Sequence, residues 1–244
     1  LPRIKLTLAY DGSAYHGWQK QVHQPSIQGT LEVAVEKLSQ QPTRVHGAGR
    51  TDAGVHALAQ VAHFDSAADF SENEWVRALN AVLPEDIVAN HARIVDDDFH
   101  ARFSAKGKTY CYQILNAQYP SPLLRHSRWH IHSPLDVGEM RIAAKALFGP
   151  HCFTSFCATE TEVTDHNIDL KEIRIQENGE QIKITFSAKR FLRYMVRNIV
   201  GFLVEVGRGK RSADEIPEIL AALDRKTAGP TAPPQGLILV NVDY

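Results

Sequence analysis

Apolar and polar positions alternate at the start of the chain. Ile4, Leu6, Leu8 and Tyr10 fall on one face of a two-residue period, the pattern of a half-buried strand. The period then lengthens. Ser26 is placed to cap a helix whose inward stripe is Ile27, Leu31, Ala34, Val35 and Leu38. A short strand over 43–49 and a second over 57–64, with burial alternating through Leu58 or Ala59 and Val61, flank a glycine-rich loop. Ser71 with Glu74 three residues on predicts a capping box for a helix carrying Trp75, Leu79 and Val82, which Pro84 ends. A strand over 86–95 completes a β-α-β-β-α-β order, that of a split βαβ, ferredoxin-like unit.

The second half follows a similar scheme without a visible letter-level repeat. A strand over 106–116 puts Tyr110 and Tyr112 on one face. Asp136 and Glu139 open a helix that Gly149 and Pro150 are expected to close. Asn178-Gly179, between alternating segments 170–177 and 180–188, predicts a type I′ hairpin. Helices over 190–206 and 212–224, a proline-rich loop and a strand over 236–243 finish the chain. The expected fold is α+β: two ferredoxin-like (RRM-like) units, 1–105 and 106–244, joined around a mainly antiparallel sheet with a central catalytic cleft.

Bulk composition fits this picture. The 244 residues are 43% hydrophobic and 23% charged, ordinary for a soluble globular protein of two modest domains. The apolar run 199–204 is far too short to span a bilayer, and residues 1–6 lack the apolar core of a signal peptide. Three cysteines make no disulfide framework. A reducing cytoplasm is the expected location. Net charge is −1, which does not advertise a nucleic-acid ligand, but distribution matters more than the sum. Basic residues gather at Arg102, Lys106 and Lys108, at Arg125 and Arg128, at 189–197 and at 208–211, with acidic ones at 96–98 and 160–169. That segregation permits a basic face.

The richest local chemistry lies in Gly49-Arg50-Thr51-Asp52-Ala53-Gly54-Val55-His56-Ala57. One carboxylate, Asp52, sits between glycines that allow close backbone approach to a ligand, and a strand follows that can hold the loop still. Two readings of these residues stand: a turn aspartate bonding its own backbone, or a catalytic carboxylate. Further on, Arg190, Arg193 and Arg197 recur at i, i+3 and i+7 of a mostly apolar predicted helix. They form either a solvated stripe or a partly buried set in need of a carboxylate. The twelve histidines include no HExxH-like pattern. His56 reads as a residue that orders the loop, and no metal site is expected.

Residues 50–57 resemble the active-site signature of the tRNA pseudouridine synthase A family. Matching motifs run the length of the chain in family order: Tyr10-Asp11-Gly12-Ser13, Tyr15, Gly17-Trp18-Gln19, 98–104, Lys108-Thr109-Tyr110-Cys111-Tyr112, Phe153-Thr154-Ser155-Phe156, 195–201, 229–233 and Gly236-Leu237. The resemblance implies an isomerase converting uridines 38, 39 and 40 of the tRNA anticodon stem-loop to pseudouridine, working as a homodimer on tRNA. It implies Asp52 as the catalytic carboxylate, Arg197 as its ion-pair partner and Tyr110 as the ring against the target uracil. Arg50 and Arg193 are expected to contact substrate.

The reaction sets its own requirements. Ribose C1′ must part from the uracil nitrogen, the base must turn, and C1′ must bond to C5. Nothing is oxidised or hydrolysed, so neither cofactor nor metal is called for. An ionised Asp52 could attack C1′, take the C2′ proton to give a glycal, or add to the base. Two other classes use some of the same residues. A noncatalytic RNA-binding sheet would want an aromatic ribonucleoprotein signature, which the chain lacks. A phosphoryl-transfer enzyme would want Mg²⁺ and further carboxylates beside the nucleophile, which the loop does not supply.

Overall fold

The computed structural model describes residues 1–160 and 163–244; Glu162, in the acidic run, lies outside them. Among the described residues the fold is mixed α+β, with mostly antiparallel strand pairing and five α-helices. Leu1–Lys106 and Ile238–Tyr244 form one compact unit, and Gly107–Leu237 a second. The final strand thus groups with the first unit.

In the first unit β1 (Arg3–Tyr10) pairs antiparallel with β3 (His56–Asp65) on one side and β4 (Ile87–Val95) on the other. The short β2 (His46–Gly47) lies antiparallel on β3, and β10 (Leu237–Asp243) meets the start of β3 in parallel. Ile4, Leu6 and Leu8 are buried, as their alternation requires. Helix α1 (Ile27–Ser39) begins at Ser26, whose side chain accepts from the Gly29 amide. Helix α2 (Glu72–Val82) carries the complete Ser71–Glu74 capping box and buries Trp75 edge-on against Phe64. Strand β3 departs from the expected alternation: residues 60–64 are all buried while Leu58 is exposed. Both faces of β3 are covered there, His63 by the rings of His46 and His100 and Phe64 by Trp75, and a strand covered on both faces does not alternate.

In the second unit β5 (Gly107–Asn116) pairs parallel with β6 (Trp129–Ile131) and antiparallel with β9 (Gln181–Ala188). Strand β8 (Asn167–Asn178) lies between β9 and β7 (Gly149–Cys152). Gly149 and Pro150 therefore do not close α3 (Val137–Ala146) but open β7, opposite Leu170 and Asp169. The β8–β9 hairpin turns through Gly179-Glu180, with Asn178 already paired to Gln181. Of the two turn residues only Gly179 has positive φ, the sign pattern of a type II′ turn rather than the expected I′.

The next helix starts later than periodicity suggests. Tyr194 adopts a left-handed φ of 63°, and α4 runs over Met195–Gly207. Arg190 and Arg193 precede that break, so the predicted three-arginine helical stripe does not exist. The last helix, α5 (Ile216–Ala222), is likewise shorter than the 212–224 expected, its first turn being a 3₁₀ turn over Ala213–Glu215. No helix among the described residues is long and apolar enough to cross a membrane.

Candidate active site

The loop carrying Asp52 joins β2 to β3 and is tied down on both sides of that residue. Tyr10, the last residue of β1, brings its hydroxyl 2.8 Å from the hydroxyl of buried Thr51. The Trp18 amide donates to the Thr51 carbonyl at 3.0 Å. Gln60 on β3 is wholly buried and donates from Nε2 to the Gly49 carbonyl at 3.0 Å and to the Tyr10 hydroxyl at 3.4 Å. Beyond Asp52, the Gly54 amide donates to the Tyr15 carbonyl and the Val55 amide to the Asp52 carbonyl. Asp52 itself is half-buried and Arg50 exposed. Burial pushes the Tyr10 phenol up to about 12, so it stays protonated and can donate at neutral pH.

His56 orders the same region. The Gly12 amide donates to its Nδ1 at 3.1 Å, which makes Nδ1 an acceptor and leaves the ring proton on the buried Nε2. An Asp11 carboxylate oxygen also lies 3.1 Å from Nδ1. Gly12 presses so closely on the loop that a Cβ there would stand 2.0 Å from the Val55 carbonyl oxygen.

The remaining candidates belong to the second unit. Tyr110 is buried on β5, opposite Phe186 in register and edge-on to Phe191 at 5.1 Å. Tyr112, two residues on, is a core residue whose hydroxyl donates to the Pro233 carbonyl at 2.7 Å. Arg197 lies in the first turn of α4 and donates from Nε to the Ala232 carbonyl at 2.8 Å, while its own carbonyl accepts from the Ala232 amide. Its guanidinium rests 5.0 Å from the Tyr194 ring centre, and so does that of exposed Arg193. Arg193 and Arg197 thus meet on one tyrosine ring, although Arg193 is not on the helix. Arg190, expected beside them, instead donates to the Asp165 and Asn167 carbonyls.

A buried polar hub holds the Arg197 end of α4. Asn198 is fully buried, donates to the Phe156 carbonyl at 2.8 Å, and accepts from Arg225 at 2.9 Å and Thr231 at 2.7 Å. Arg225 also donates to Thr231 Oγ1 and to the Gly229 carbonyl. One turn after Arg197, a Cβ on Gly201 would stand 1.9 Å from the Pro230 carbonyl oxygen. The helix and loop 229–233 are therefore in backbone contact.

Comparison with known proteins matches this arrangement to a family. A sequence profile described as tRNA pseudouridine synthase matches residues 7–104 and 143–244, the stretches that carry the Asp52 loop with its supports and α4 with its hub. The chain belongs to the tRNA pseudouridine synthase family. It is 46% identical over 242 residues to a tRNA pseudouridine synthase A of Shewanella woodyi, covering 99% of this chain and 93% of that one. It is also 46% identical to the Nitrobacter hamburgensis protein of the same name, over 100% of both chains. With the Myxococcus xanthus protein of that name it shares 44% identity, covering 100% of this chain and 92% of that one. Among solved structures it is similar to a chain of a Cbf5-Nop10-Gar1 complex, with a TM-score of 0.34 and 13% identity over 82% of this chain and 54% of that one. That last likeness is too slight to bear on the chemistry.

Within this family member, periodicity placed Tyr10 on β1 but did not give Tyr10, Thr51, Gln60, Asn198 or Arg225 a part in holding the site. Two of them leave a trace in the sequence: Gln60 is a single amide inside an apolar run, and Asn198 a single amide beside Arg197 at the head of one. A polar side chain that recurs with core residues must find buried partners, and both do. Tyr110 falls between the two matched stretches, so its assignment rests on the Lys108-Thr109-Tyr110-Cys111-Tyr112 motif.

Proposed function

We propose that this chain isomerises uridines 38, 39 and 40 in the anticodon stem-loop of tRNA to pseudouridine, as a cytoplasmic homodimer, with Asp52 as nucleophile or base. The observation that carries the reading is the fixation of the Asp52 loop by Tyr10, Thr51, Trp18 and Gln60. A carboxylate that must meet one ribose carbon in one orientation benefits from a backbone held on both sides, because misplacement by an ångström is costly to rate. The antiparallel order β4-β1-β3-β2 supports reading the first unit as a split βαβ.

Each residue then has a task. Asp52 attacks C1′, removes the C2′ proton or adds to the base; in every route N1 leaves C1′, C5 bonds to it, and the C5 proton departs to solvent. Arg197 is the guanidinium that favours the ionised carboxylate. The buried Tyr110 ring offers an aromatic face to the extruded uracil, helping to offset the lost stacking. Arg50 and Arg193, both exposed, are suited to substrate phosphates.

The test is tritium release from tRNA labelled at uracil C5, run in EDTA with no cofactor. Release by the wild type and none by Asp52→Asn, with tRNA affinity largely retained, is the expected result. No release from folded, tRNA-binding wild type would favour a noncatalytic RNA-binding module instead.

A further inference from the structure

Between β5, β6 and the proline-rich loop of the second unit lies a cavity of about 280 Å³, and none of the residues lining it is acidic. Leu115 and Leu124 provide apolar wall, Trp129 an aromatic one, and Arg125, Arg128 and Gln235 are among the polar groups. Arg128 Nε is buried and has no hydrogen-bond partner among the described residues. Among the described residues, the one hydrogen bond from its guanidinium runs from Nη2 to the neutral Gln181 amide oxygen at 3.3 Å. A buried cationic N–H without an acceptor is an expensive thing to keep in a folded protein. A planar guanidinium fork most readily meets an oxyanion that accepts two bonds side by side, and phosphate has that geometry. Beside it, the half-exposed Trp129 offers a face for a base or ribose.

We infer that this cavity binds one phosphodiester of the tRNA, with Arg128 and Arg125 on its oxygens and the adjoining nucleoside against Trp129. The inference rests on tRNA being the substrate. Leu115 is five residues from Tyr110 along β5, roughly 17 Å at strand spacing. The nucleotide held here is therefore not the uridine proposed to lie against Tyr110. The volume is just below the usual range of about 300–1,000 Å³ for ligand sites, which suits a single nucleotide rather than a longer segment.

The experiment is fluorescence anisotropy of labelled full-length tRNA across a salt series, with wild type, Arg128→Gln, Arg128→Lys and Arg125→Gln. Arg128→Gln is expected to weaken binding about five- to tenfold and to lower the salt slope by about one. Arg128→Lys should recover part of the affinity. Should Arg128→Gln fail to fold, exposed Arg125→Gln must show the same loss in smaller measure. Unchanged affinity and slope in folded variants would overturn the site. So would weakened association between two copies of the chain, seen by sedimentation, with tRNA affinity intact. A third arm titrates UMP against Trp129 fluorescence, Trp18 and Trp75 being buried. Loss of UMP quenching in Arg128→Gln with tRNA affinity intact would make this a free-nucleotide site and overturn the RNA assignment. Because binding is read without turnover, a wild type that binds through Arg128 but releases no tritium would defeat the proposed isomerisation and leave this site standing.

Discussion

The hydroxyls of Tyr10 and Thr51 meet at 2.8 Å in the buried ground beside Asp52. A strand end is thereby bonded directly to the residue before the proposed catalytic carboxylate. Tyr10→Phe keeps the ring and removes only that link, leaving Thr51 Oγ1 without it and Gln60 with one partner fewer. The expected cost is about 1–2 kcal/mol of stability, read as a lower urea midpoint. A fall of about tenfold in kcat with KM little altered should accompany it, as expected when about 1.4 kcal/mol of positioning is lost. Wild-type kcat in a destabilised variant would confine Tyr10 to a structural role.

Gly12 offers a steric test of the same loop. An added Cβ would meet the Val55 carbonyl oxygen at 2.0 Å, and backbone cannot swing aside as a side-chain tip can. Gly12→Ala should displace loop 51–55, break the donation to His56 and destabilise by about 1–3 kcal/mol. Ser13→Ala, at the exposed neighbour, should stay within about 0.5 kcal/mol of wild type. Thermal melts of the pair separate local crowding from general sensitivity of this turn.

At Gly201 the sign of the effect is the diagnostic. In an ordinary helix interior Gly→Ala stabilises by about 1 kcal/mol. Here the new methyl would lie 1.9 Å from the Pro230 carbonyl oxygen, forcing loop 229–233 off α4 and pulling Ala232 from its two bonds with Arg197. Destabilisation of about 1–3 kcal/mol and loss of tritium release are expected. A stabilised, active Gly201→Ala enzyme would refute the packing.

Three histidines set a pH dependence. His63 packs against His46 at 5.0 Å and His100 at 4.6 Å, with Arg3, Arg44, Arg102 and Asp65 also near the cluster. Burial first, and then its histidine neighbours, lower His63 from 6.5 to about 4. Its Nδ1 accepts from the Ala101 amide, so the folded state holds a neutral ring. The unfolded chain takes up that proton first as pH falls. Stability is therefore full above the ordinary histidine value and is lost between about pH 6.5 and 4. Melting temperature should drop more steeply over that window for wild type than for His63→Gln, which retains an acceptor for Ala101. Parallel slopes would remove His63 from the account.

Sequence alone determined the parts whose cause is local. The alternation of Ile4, Leu6, Leu8 and Tyr10 made β1, and Ser26 and Ser71 capped their helices where predicted. The Asp52 loop was legible because glycines, a lone carboxylate and a following strand lie within nine residues. Tertiary structure decided what no period encodes. The arginine stripe failed at Tyr194, since a left-handed residue is invisible to a count of apolar spacing. Gly149-Pro150 became strand because β8 lay ready to pair with it, whatever the local breaker signal. Tyr10 and Thr51 are 41 residues apart, and Asn198, Arg225 and Thr231 reach one another across a loop. Such contacts form only once the core has brought their elements together, and their free energy comes from burial that the sequence expresses as a whole rather than at any one position.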